Sequence, residues 1–411
     1  MVKQSIAKLL FLAIPQLLLA LFMTIVPALS PLLQKEFSIT PAEIGFLTTS
    51  IFAGFGISSL LAGKIVDRLS FDKVFFLGHL VLGLFLFLSS LSVSYWQLFL
   101  FLFLSGFGDS LITTASAKAV VCWFPEEGRA TVSALYKTGF PLGSAIAAVF
   151  LPLIALRFSW VGAFRFIGTV FIVWGCLIMK IYQKRAEVQS ITVFVNEDKS
   201  KKNSLSSFDK QKVYLIGIVG MFFTAIQYCL ITYLVIYLVE GQSFSFLRAT
   251  SLLSIFQLSG IGGRIVLGLS SDFLIKNRNL TLLIAALISW GGILLLILSG
   301  SAYLLYLSCI LLGFSVVGWV PLWLTIASEA VPSESSGWAT GIAMAVQSIG
   351  GLIGPPLLGL VIGARKNFDS AFIVLLITAS ITVAAIGLLK SLSDKEVTMI
   401  CDEEKGEQSL P

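Results

Sequence analysis

"GKIVDRLSFDK", Gly63 to Lys73, sets Asp67, Arg68, Asp72 and Lys73 close together between two long apolar stretches. Elsewhere charge is scarce: of 411 residues 12% are charged and 57% are hydrophobic, and the mean hydropathy is +0.95. Soluble domains carry about 25% charged residues. The chain therefore reads as an integral membrane protein, and this stretch as a connection between two spans. The apolar runs are continuous, whereas a membrane β-barrel alternates apolar and polar residues. An all-α architecture follows.

A membrane helix takes roughly 20 mostly apolar residues. Runs bounded by charge or by Pro and Gly clusters predict twelve such helices, at 9–33, 44–66, 74–93, 96–121, 131–156, 161–182, 213–239, 249–271, 280–298, 302–328, 338–362 and 371–392. The first run follows Lys3 and Lys8 and meets no small-residue cleavage site before Lys35 and Glu36, so it is expected to stay as a helix. The one long polar stretch, 183–212, carries "NEDKSKKNSLSSFDKQK" and divides an N-terminal bundle, 1–182, from a C-terminal bundle, 213–392, with a tail at 393–411. Low in aromatics and rich in charge, this linker has the composition of a disordered segment.

Lys and Arg set the orientation. Lys3, Lys8, Arg68, Lys73, Arg129, the basic linker, Lys276, Arg278, Lys395 and Lys405 fall on one side; Lys35, Arg157, Arg248, Arg365 and Lys366 fall on the other. The richer side is expected to face the cytoplasm, which places both termini and the linker on the inner side of a cytoplasmic membrane. The formal charge of +6 sits in these loops and reports topology, not a nucleic-acid partner.

The opening stretch has a second copy, "GLSSDFLIKNR", where Gly63 and Asp67 recur as Gly268 and Asp272, 205 residues on. "GRAT" at Gly128 likewise recurs as "GWAT" at Gly337, 209 residues on. Two near-equal offsets imply a duplication of six spans, hence two bundles related by a pseudo-two-fold axis.

On these residues the sequence resembles the major facilitator superfamily of secondary transporters. The loop Gly63, Asp67, Arg68 with Lys73 following matches the family's G-x-x-x-D-R pattern. "WFPEEGRATVSALYKTGFPLGSAIA" (Trp123–Ala147), "GIGGRIVLGLSSD" (Gly260–Asp272) and "VPSESSGWATGIAMAVQSIGGLIGPPLLG" (Val331–Gly359) look like its anion-carrying branches, the anion:cation symporter, cyanate/nitrate and monocarboxylate groups. The match departs at Leu69 and Ser70, where the family usually has a glycine, and at Phe273 in the second copy. "TGFPLG", with Gly139, Pro141 and Gly143, only partly matches the motif of proton-driven drug exporters. The resemblance implies alternating access gated by Gly63, Asp67, Arg68, Lys73, Gly268 and Asp272. Asp67 is expected to pair with a basic residue or helix end, and Arg68 with Glu126, Glu127 or lipid phosphate.

Enzyme chemistry finds no constellation. His79 is the one histidine, no glycine-rich loop ends in Lys-Ser or Lys-Thr, and Cys122, Cys176, Cys229, Cys309 and Cys401 stand singly, so no cofactor or metal is expected. Ionisable residues inside spans are costly and mark candidate sites; here they are Asp109, Lys118, Lys137, Arg165 and Arg264. Arg165 and Lys118 lie near span ends and can snorkel to the headgroups. Lys137 lies roughly 9 Å into its span and Arg264 about 12 Å from the second loop.

A guanidinium grips a carboxylate bidentately, and the resembling anion groups carry an arginine at the position of Arg264. Its structural alternative is an ion pair with Asp272 or a helix terminus. Lys137 is either a second substrate cation or the partner of Asp109, and Asp109 is either a proton-coupling acid or that partner. Two deep cations against one acid favour an anionic cargo. Tyr136, Gln227, Tyr228, Tyr233, Trp319, Trp323 and Gln347 are candidates to shape the pocket. The expectation is a monomeric, proton- or ion-coupled transporter of a small carboxylate-like anion, in contact with membrane lipid. A proton-coupled exporter of drugs or metabolites is the alternative, and a transporter-like sensor a second.

Overall fold

The computed structural model describes residues 2–69, 71–124, 132, 136–186, 207–298, 300–331, 336–365 and 367–407. Among them every regular element is helical. The first four helices are α1 (Val2–Phe37), α2 (Pro41–Arg68), α3 (Phe71–Ser89) and α4 (Tyr95–Trp123). A continuous run, Gly139–Ala186, leaves helical geometry at Phe158 and Ser159 and so makes two arms, α5 (139–157) and α6 (160–186). This break falls where the sequence predicts the fifth connection.

The second half begins with α7 (Ser207–Ile236), which runs on through a π turn, Tyr237–Gly241. Helix α8 (Phe246–Leu269) likewise ends in a π turn, Ser270–Leu274, and α9 is Arg278–Ile297. Helix α10 (Ala302–Leu312) passes through a third, Gly313–Val317, into a further helical segment, Val320–Glu329. Helices α11 (Ser336–Arg365) and α12 (Asp369–Glu407) complete the chain. Nine helical stretches among the described residues are long and apolar enough to cross a membrane, and Lys73–Ser89 is a shorter apolar helix.

Local signals explain several starts. Thr40 and Glu43 form a reciprocal capping box at α2, with Pro41 in the first turn, where a missing N–H costs nothing. Ser94, Asn277 and Ser301 cap α4, α9 and α10 through their side chains.

Two compact units emerge. One gathers α1 to α6 with 228–258 and 355–371; the other gathers 207–227, 259–354 and 372–407. In the first, glycines let helices touch backbone to backbone: Gly54 of α2 lies against Gly106 of α4, and Gly78 of α3 against Gly108 of α4. Lipid offers helices no hydrophobic drive to associate, so such close approach supplies the packing. The core of the second unit is built around Phe223, Trp319, Trp323 and Ile386, all buried.

Candidate functional site

In the second unit one face of α7 organises the polar groups. Trp319 is fully buried, stacks on Phe223 with ring centroids 4.7 Å apart, and donates its indole N–H to Gln227 Oε1 at 3.3 Å. Trp323 donates to the Ile216 carbonyl at 2.8 Å, in the space that Gly220 leaves for its ring. Gln347 of α11, half-buried, donates to Thr224 Oγ1 at 2.9 Å. Thr224 and Gln227 are three residues apart and so share a helix face. The two glutamines are therefore held in fixed orientations by Trp319 and by α7 respectively.

Arg264 of α8 is half-buried, and its Nε donates to the Val317 carbonyl at 3.3 Å. That carbonyl is available for a reason visible in the chain. Val317 is the last residue of the π turn, and the residue four positions on is Pro321, which has no N–H to return. Gly260 and Gly263, one turn apart on α8, bring it against Val317 and Phe314, and thereby place the guanidinium beside the turn.

Asp272 was a candidate structural partner for Arg264. The structure gives it another: Arg278 Nη1 reaches Asp272 Oδ1 at 2.9 Å, while Arg278 Nε and Nη2 grip Glu329 at 2.7 and 2.9 Å. One guanidinium thus ties the π turn after α8 to the start of α9 and the end of the segment Val320–Glu329. Sequence reading missed both Arg278 and Glu329 as site residues. For Arg278 the signal was present, since it stands 205 residues after Lys73, the same offset that relates Asp272 to Asp67. Gly268 lies on α8 with open space where a side chain would be.

In the first unit Asp109 is buried on α4, and its Oδ1 accepts from Thr113 Oγ1 at 3.0 Å, one turn along the same helix. Lys137 is exposed. Its neighbour Tyr136 is buried in a cluster with Leu12, Ala119, Val120 and Phe124. Tyr228, half-buried, meets the Phe52 ring edge-on at 4.6 Å.

The two cations expected to snorkel each also hold a neighbouring helix. Lys118 donates to the Val66 carbonyl at the end of α2 at 2.7 Å, and Arg165 Nε donates to Ser90 Oγ of α3 at 3.2 Å. His79 is buried, with Nδ1 on the Phe75 carbonyl at 2.7 Å.

Of the first gating loop, Arg68 and Lys73 are exposed, and Gly63 and Asp67 lie within α2. The Asp67 side chain, Glu126 and Glu127 are outside the described residues, and so are the expected pairings of Asp67 with a basic residue or helix end and of Arg68 with those two glutamates.

Tyr233 does something the sequence did not signal. Its hydroxyl lies 2.6 Å from the Pro355 carbonyl of α11 and 3.0 Å from the Pro41 carbonyl of α2. Gly45 and Gly359 form the walls of its slot, because a Cβ on either would collide with the hydroxyl. Rather than lining a pocket, Tyr233 joins α2, α7 and α11 within the first unit.

A family model described as Major Facilitator Superfamily matches residues 12–355. The hexuronate transporter of Bacillus subtilis is 24% identical over 364 residues, covering 84% of this chain and 85% of its own. A probable galactarate/D-glucarate transporter of Bacillus subtilis is 23% identical, covering 92% and 90%. Among solved structures, a bacterial homologue of the human lysosomal transporter Spinster, inward-facing and occupied, superposes with a TM-score of 0.76 at 16% identity, over 93% of this chain and 96% of that one.

Proposed function

Because the chain belongs to the Major Facilitator Superfamily, we propose that this multi-pass membrane transporter carries a small organic anion of the carboxylate class. The observation that carries the reading is Arg264, a guanidinium set within an apolar span and anchored by one edge to the Val317 carbonyl. A fork fixed in this way recognises a planar carboxylate through paired hydrogen bonds. The names of the two Bacillus relatives, hexuronate and galactarate/D-glucarate, denote carboxylates.

Around that cation, Gln227 and Gln347 supply uncharged polar groups, and Trp319 acts by holding Gln227. Lys137, Tyr136 and Tyr228 are the candidates from the first unit. Asp109 is the coupling acid in this reading, since a carboxyl buried beside Thr113 binds and releases a proton at a point shielded from bulk water. The bundles 1–182 and 213–392 rock about the linker 183–212, with the tail 393–411 and both termini cytoplasmic. Gly63, Asp67, Arg68, Lys73, Gly268 and Asp272 form the gates, and the working unit is the monomer.

Uptake of labelled hexuronates and aldarates into proteoliposomes tests this. Arg264→Gln should abolish saturable uptake and Arg264→Lys should raise KM, while an inward proton gradient should accelerate the wild type but not Asp109→Asn. Wild-type uptake in both Arg264 variants would refute the anion clamp.

A further inference from the structure

At the break between α5 and α6 the chain makes a notch. Phe158 (φ −125°, ψ 17°) ends one arm, and Ser159 (φ 63°, ψ 170°) holds a left-handed φ that reverses the backbone. Phe150 and Phe158 from α5 and its end, with Gly162, Arg165 and Phe166 from α6, line a cavity of about 480 Å³. Gly162 creates the space, because a Cβ there would strike the Cβ of Phe158. The Phe150 and Phe166 rings meet edge to face at 5.6 Å and form an apolar wall.

Two cations stand at this notch. Arg165 is exposed yet held, its Nε on Ser90 Oγ at 3.2 Å, so its guanidinium stays at the cavity instead of sweeping through solvent. Arg157 lies over the Phe158 ring, 5.7 Å from the centroid. The surrounding surface decides what can reach them. Ile146, Val149, Leu153 and Leu156 on α5 are 42–58% exposed and wholly apolar, which is the character of a face turned to lipid chains. An occupant arriving across that face has to be amphiphilic, with a chain for the aromatic wall and an anionic head for the guanidinium pair.

We propose that this notch binds an anionic phospholipid, its acyl chain against Phe150 and Phe166 and its phosphate on Arg165, with Arg157 adding a second positive charge. Arginine suits phosphate because its planar fork offers parallel donors. The site is separate from the transport reading above and does not depend on it.

Full-length purified protein in detergent, titrated with dioleoyl phosphatidylglycerol or with dioleoyl phosphatidylcholine, gives the test by native mass spectrometry and thermal shift. Phosphatidylglycerol should form a one-to-one adduct about tenfold more readily than phosphatidylcholine and raise Tm by several degrees more. Arg165→Gln should remove that preference while leaving the lipid-free Tm close to wild type, Arg165→Lys should keep part of it, and Gly162→Ala should weaken both lipids by filling the notch. Equal binding of the two lipids, a preference that survives Arg165→Gln, or a two-chain complex occupying the face without lipid would each overturn the proposal.

Discussion

Tyr233 sets its hydroxyl 2.6 Å from the Pro355 carbonyl, between two glycines that leave no other place for it. Its second neighbour, the Pro41 carbonyl, belongs to a helix of the other sequence half. Alternating access requires such a join to form and release, and one hydroxyl shared by two carbonyls is suited to that. Its loss costs about 1 kcal/mol per hydrogen bond, roughly fivefold in a two-state ratio. Tyr233→Phe should therefore make a cysteine placed at buried Ile44 alkylate about fivefold faster, and Gly359→Ala should have a larger effect in the same direction. An unchanged alkylation rate in both variants would show that Tyr233 is packing alone.

Pro321 is expected to control Arg264 without touching substrate. Replacing it with alanine restores an N–H that competes for the Val317 carbonyl, so the guanidinium's hold on that carbonyl weakens while the helix gains a bond. Pro321→Ala should raise KM for the transported anion by about fivefold, the worth of one hydrogen bond, with Tm unchanged or higher. Uptake kinetics and a melting curve on the same preparation check both halves of the expectation.

The ties of Arg278 to Asp272 and Glu329 are half exposed, with side-chain accessibilities of 35%, 52% and 54%. Surface ion pairs of this kind contribute about 0–1 kcal/mol each. Arg278→Gln should lower Tm by only a few degrees, yet slow transport, because three helix ends lose their common partner. Binding of the anion, measured by thermal shift, should stay near wild type.

Trp319 and Gln227 make a buried pair that is asymmetric under mutation. Gln227→Leu leaves the indole N–H unsatisfied, at a cost of about 1–3 kcal/mol, and should lower Tm clearly. Trp319→Phe keeps the stack on Phe223 and removes the donor, so it should fold well and instead alter KM by letting the Gln227 amide turn.

The charged loops and the repeat were legible because they contrast with an apolar chain, and the offset from Lys73 to Arg278 shows that more could have been read from it. The anchor of Arg264 was legible in part, since Pro321 announces an orphaned carbonyl but not which donor will fill it. Tyr233 was beyond reach, because its partners are backbone carbonyls 192 and 122 residues away, and a carbonyl carries no residue-type signal. The ties of Lys118 and Arg165 were beyond reach for a similar reason: depth in a span says nothing of a carbonyl or hydroxyl on the next helix. The three aromatic donors Trp319, Trp323 and Tyr233 all satisfy their N–H or O–H internally, as buried aromatics do.

All three π turns among the described residues fall in the second half, in α7, α8 and α10. Each closes its hydrogen-bonded ring over one residue more than an α turn, and one residue on a helix is about 100° of rotation. Beyond Val317, then, a position counted from the first half by a constant offset looks out from a different side of its helix. The repeat offset itself lengthens from 205 to 209 across this region. Duplication supplied two equal halves, and these turns give the second half a rotational degree of freedom that substitution alone does not provide: each can change which side chains the helix beyond it presents.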